Sequence, residues 1–166
     1  MKVNVLVALL GSLVTSVAMA DVSAVLTVDL LGPGGHSNGH YGRTNAVHAA
    51  SRAILEIEKA IPSSKECLVS NFSGGNSVNS IASDGHFQVS LKAKNAKALD
   101  ALKAKVKSAV QKGVDAENQF RGVKAGDLTG GVPAAISFEA SCISVGKTRA
   151  MSFHEAALPT KRAVGS

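Results

Sequence analysis

Apolar and polar residues alternate from Val22 to Leu31, with Leu26, Val28 and Leu30 on one side and Thr27 and Asp29 on the other. This period of two predicts a half-buried strand. Residues 32–42 hold five glycines, Pro33, His36 and His40, which predicts a loop of unusual backbone freedom. Thr44 or Asn45 then caps a helix whose apolar positions Val47, Ala50, Ile54, Ile57 and Ile61 recur at helical spacing, and Pro62 ends it. Residues 67–72 read as a second strand, interrupted by Gly74-Gly75-Asn76, with 77–81 continuing the extended chain after a bulge or bend. Asp84-Gly85 reads as a hairpin turn into a third strand, in which Phe87, Val89 and Leu91 alternate with polar residues. Asn95 caps a second helix with Leu99, Leu102, Val106, Ala109 and Gly113 along its buried stripe. Residues 120–133 read as a glycine-rich loop, and 135–145 as a fourth strand with Ile136, Phe138, Ala140 and Cys142 inward. Beyond Gly146 the periodicity stops; residues 147–166 are expected to be a tail, with a short helical turn near His154.

The element order is strand-helix-strand-strand-helix-strand. Right-handed crossovers with both helices on one face turn it into an α+β, ferredoxin-like fold, a four-stranded antiparallel sheet of spatial order 4-1-3-2. In that order Cys67 and Cys142 occupy opposite edge strands, three spacings of about 4.8 Å apart. A disulfide needs Cα atoms within about 7 Å, so the two cysteines are not expected to pair within one chain.

The first twenty residues stand apart from this pattern. Lys2 precedes a nearly continuous apolar run, and Ala18-Met19-Ala20 presents small residues where a signal peptidase reads. That layout predicts a cleaved signal peptide over residues 1–20, a periplasmic or secreted product, and no membrane attachment after cleavage. The rest, expected to form one domain over residues 21–146, is long enough for one core. The formal charge of +6 owes much to Lys97, Lys103, Lys105, Lys107 and Lys112, which fall outside the apolar stripe of the second helix. With one tyrosine and no tryptophan the chain lacks a stacking platform for bases, so a solvated helix face is expected and nucleic acid is not.

Three segments together carry a family likeness: Gly34-Gly35-His36-Ser37 leading through Gly42-Arg43-Thr44-Asn45-Ala46-Val47-His48-Ala49 into the helix, then Ser73-Gly74-Gly75-Asn76-Ser77-Val78-Asn79-Ser80-Ile81, then the strand after Asp84-Gly85. In this order and spacing they resemble the dimerisation, or lid, domain of the zinc metallopeptidases that include aminoacylases, glutamate carboxypeptidases and tripeptide aminopeptidases. The resemblance implies a domain that pairs with a second lid and lends groups to a catalytic site, often the partner subunit's. Under it, His36 matches a histidine that stabilises the tetrahedral oxyanion, and Asn79 an asparagine that contacts substrate. The usual Asp-x-Arg, whose arginine binds a substrate carboxylate, is here Ser90-Leu91-Lys92, and the usual proline is Ala82. Lys92 keeps the charge without the two-pronged grip of a guanidinium.

The zinc pair of such enzymes belongs to their other domain. Its His-x-Asp, bridging aspartate and Glu-Glu patterns do not occur in this chain, so no metal or other cofactor is expected to bind here. Nor does a lysine follow the glycines as in a phosphate-binding loop. Ser37 beside His36 is adjacent in sequence, which does not make a nucleophile and its base. His48 reads as a boundary packing residue, and neither His86 nor His154 has a visible partner. The expectation is a non-catalytic self-association module, a homodimer, with a lid subunit working on a separate zinc-bearing chain as the alternative.

Overall fold

The computed structural model describes residues 21–145. The expected signal peptide and the tail with His154 lie outside the described residues. Four long strands, β1 (Val22–Leu31), β3 (Cys67–Gly74), β5 (Asp84–Ala93) and β8 (Ser137–Val145), and two helices, α1 (Ala46–Ala60) and α2 (Ala96–Phe120), make up the domain. Four two-residue strands, β2 (Gly35–His36), β4 (Ser80–Ile81), β6 (Leu128–Thr129) and β7 (Val132–Pro133), form two small ribbons, β2 with β4 and β6 with β7. The main sheet is antiparallel in the order β3-β5-β1-β8, the ferredoxin-like arrangement that the element order predicts.

Alternation sets which face is buried. Ala24, Leu26, Val28 and Leu30 of β1 lie beside Leu91, Val89, Phe87 and Gly85 of β5, all turned toward the helices. Each large side chain among them contributes about 1.5–3 kcal/mol on leaving water. The opposite face carries Thr27, Asp29, His86, Gln88, Ser90 and Lys92, and among the described residues no helix lies over it. Asn45, not Thr44, caps α1: its Oδ1 accepts from the N–H groups of Val47 at 2.9 Å and His48 at 3.2 Å. Thr44 is buried instead, donating its hydroxyl to Ala134 O at 2.6 Å. Asn95 caps α2 through Ala98 N–H at 2.9 Å.

Four local expectations change. The deepest seam of α1 is Ala46, Ala49, Ala50, Ala53 and Ile57, while Val47 and Ile54 are only half-buried. Small residues prevail there because α2 comes so close that a Cβ on Gly113 would stand 2.3 Å from Ala53 N. Asp84-Gly85 is not a turn but the start of β5, paired with Leu31 and Leu30. Gly85 serves packing: a Cβ there would lie 2.8 Å from Ala46 O, so its absence lets the first turn of α1 rest on the sheet. The chain between β3 and β5 leaves the main sheet altogether, and only Ser80 and Ile81 pair, with His36 and Gly35. Finally, Cys142 has the inward parity of Ile136 and Phe138, opposite Leu26, yet is exposed, because β8 is an edge strand. Cys67, on the other edge, is half-buried.

Candidate functional site

The β2–β4 ribbon joins two segments that are distant in sequence. Gly35 and His36 pair with Ile81 and Ser80, and Ser37 N–H donates to Asn79 O at 2.9 Å. Gly35 has φ 141°, and a Cβ on it would strike the His40 ring at 2.9 Å, so only glycine fits beneath that imidazole. Arg43 Nη1 donates to Gly34 O at 3.2 Å and ties the end of the loop back to its start.

His36 and Asn79 are thereby brought together. Asn79 Nδ2 lies 3.1 Å from His36 Nε2, and Asn38 N–H donates to His36 Nδ1 at 3.2 Å. Since Nδ1 is an acceptor, the neutral ring carries its proton on Nε2, which would set one donor against another. A half-turn of the Asn79 amide resolves this: Oδ1 accepts from Nε2–H, and the amide nitrogen donates to Ser77 Oγ, already in contact with that amide. The result is an exposed imidazole N–H on a glycine loop, backed by an amide. That N–H can pass to a carbonyl or carboxylate oxygen of a ligand only when the ligand oxygen takes the place of Asn79 Oδ1.

Lys92 is not part of this site. It lies near the far end of β5, eight residues or about 27 Å along the strand from Asp84. Its Nζ pairs with Asp21 Oδ2 at 3.0 Å. Gly35-His36-Ser37-Asn38-Gly39 has the Gly-x-Ser-x-Gly spacing of a nucleophile elbow. The segment is a short strand and turn rather than a strand-to-helix elbow, and among the described residues no histidine hydrogen-bonds Ser37 Oγ. His40 Nδ1 is buried and has no hydrogen-bond partner among the described residues.

Two further histidines have partners that the sequence did not reveal. His86 Nδ1 lies 2.7 Å from Asp29 Oδ1 on the open sheet face. His48 Nδ1 accepts from Arg121 Nη2 at 3.3 Å, on the rim of a cluster around Glu117. Among the described residues no group of three or more histidines, cysteines, aspartates or glutamates is placed to hold a metal.

The model of the peptidase dimerisation domain matches residues 22–117, and the chain belongs to that family, the lid domain of the metallopeptidases. The fold recurs in a hydantoinase/carbamoylase family amidase from Burkholderia ambifaria, with a TM-score of 0.55 and 18% identity over 79% of this chain and 29% of that one. It recurs too in an aminobenzoyl-glutamate utilization protein from Klebsiella pneumoniae, with a TM-score of 0.60 and 15% identity over 81% and 31%. An aminopeptidase from Bacillus cereus matches with a TM-score of 0.53 and 16% identity over 74% and 29%. The chain thus spans less than a third of each of these solved proteins. A search of curated protein sequences gives no match.

Proposed function

We propose that the chain works as an exported, stand-alone lid that self-associates and does not itself hydrolyse a substrate, acting in the periplasm or outside the cell once residues 1–20 are removed. The observation that carries this is the edge made by β3 and α1. Both helices pack over the central strands β5 and β1, with α1 reaching out to β3 and α2 to β8. At that edge Leu55 of α1 and Leu68 and Phe72 of β3 are each about half exposed. An open strand edge flanked by apolar side chains is suited to strand addition by a second copy. Light scattering on the protein lacking residues 1–20 tests this: wild type is expected to be a dimer, and Leu55→Glu with Phe72→Glu a folded monomer. A wild type that stays monomeric at high micromolar concentration sinks the proposal.

A second reading, a lid subunit serving a separate zinc-bearing chain, draws on the His36–Asn79 pair. Nothing in the packing of the lid needs that pair. His36→Ala should leave the dimer intact under both readings and reduce hydrolysis only where a zinc-bearing chain co-purifies.

A further inference from the structure

Glu117 is fully buried near the end of α2 and is met by three donors: Arg52 Nε and Arg121 Nε, each at 3.1 Å, and Asn45 N–H at 3.2 Å. The two guanidiniums use different carboxylate oxygens, so one carboxylate bridges them. Both also sit 5.0 Å from the centroid of the Phe120 ring, which is itself largely exposed. Each arginine is therefore fixed at two points, by a carboxylate below and an aromatic face beside it.

The charges do not balance. Two guanidiniums share one carboxylate, and among the described residues no second acid lies within ion-pair distance of either. His48, whose Nδ1 lies 3.3 Å from Arg121 Nη2 and 3.9 Å from Glu117 Oε1, brings no negative charge to the cluster. Arg52 Nη1 and Nη2 and Arg121 Nη1 make no hydrogen bond among the described residues, and none of the three is buried. Six N–H bonds are thus presented to solvent on side chains that have already lost much of their freedom. Surface arginines ordinarily give up that entropy when they bind; here Glu117 and Phe120 have removed much of it beforehand.

We propose that the Arg52–Arg121 pair, locked by Glu117 and Phe120, is a binding site for an oxyanion, and specifically for the carboxylate group of a small molecule. A planar carboxylate can take two parallel N–H bonds from one guanidinium and supplies the single negative charge that the cluster lacks. The site is separate from His36, and does not depend on whether the chain self-associates.

The test is side-chain NMR on the 15N-labelled chain, following the arginine Nε–Hε signals through titration with succinate and, separately, inorganic phosphate, each against sodium chloride at matched ionic strength. The expected result is a saturable shift of the Arg52 and Arg121 signals with succinate at millimolar concentration and no saturation with chloride. Arg52→Lys keeps the charge but loses the fork, and is expected to raise the half-saturating succinate concentration about tenfold. Phe120→Leu changes only an exposed residue, so it serves if the lysine variant is misfolded, and is expected to weaken binding severalfold. Shifts that rise linearly without saturating, or an affinity unchanged in these folded variants, would overturn the site. Saturation by phosphate but not by succinate would overturn the carboxylate assignment.

Discussion

Replacing Gly113 by alanine sets a gain of known size against a steric cost that the structure defines. In an isolated helix the change is favourable by about 1 kcal/mol, because alanine loses less backbone freedom than glycine. In this domain the added methyl would lie 2.3 Å from Ala53 N, 2.4 Å from Ala53 Cα and 2.8 Å from Ala53 Cβ. Ordinary contact begins near 3.4 Å, so α1 and α2 must part by about 1 Å. Two of the three obstructing atoms are backbone, and no rotamer change can move them aside. Overpacking costs about 1–3 kcal/mol, and a backbone obstruction places this case at or beyond the upper end. The net expectation is a loss of about 2 kcal/mol, or a melting temperature lower by about 8 °C for a domain of this size. Urea unfolding followed by circular dichroism at 222 nm measures it, with Ser108→Ala on the exposed face of α2 as the control for propensity alone. The control should change stability by no more than about 0.5 kcal/mol, in the favourable direction. If Gly113→Ala proves as stable as wild type, or more so, the close helix crossing is wrong.

Other outcomes follow from the same geometry. Glu117→Gln should cost about 2–3 kcal/mol in urea unfolding, less than a fully buried pair because Arg52 and Arg121 remain partly exposed; a loss under 1 kcal/mol would contradict the bridging role. Asn45→Ala should cost about 1 kcal/mol by removing the acceptor from two amides of α1, and an unchanged midpoint would place the cap elsewhere. Burial, and then the nearby Glu58 carboxylate, raise the Cys67 thiol above its ordinary value, so less of it is thiolate near neutral pH. Its alkylation by iodoacetamide should lag well behind that of exposed Cys142 and keep accelerating as pH rises past the usual thiol range of about 8.5, whereas equal rates at both cysteines would refute it.

How much of this was legible beforehand depends on the range of the interaction concerned. Period-two alternation in β1 and β5 and the stripes of α1 and α2 are properties of a few consecutive residues, so the elements and their order could be read directly. The handedness of crossovers then left the observed sheet order as the expected one. The glycine motifs pointed to His36 and Asn79 through family likeness, but only the pairing of β2 with β4 puts the two side chains in contact across 43 positions. Asp84-Gly85 shows the limit of local signals: the same dipeptide suits a turn or a close helix approach, and what lies above Gly85 decides between them. The alanine seam of α1 was likewise invisible, since ordinary periodicity weights the larger apolar residues and gives no warning that α2 will come so near. Lys92 has the right chemistry in the right strand, yet the length of β5 separates it from His36.

Element type and order were therefore set by the sequence itself, through short-range pattern. Which side chains meet was decided by the tertiary structure alone. Arg52 and Glu117 lie 65 positions apart on different helices, and no spacing rule connects them. The helix crossing at Ala53 and Gly113 brings those helices together, and with them the carboxylate, the two guanidiniums and the exposed aromatic ring.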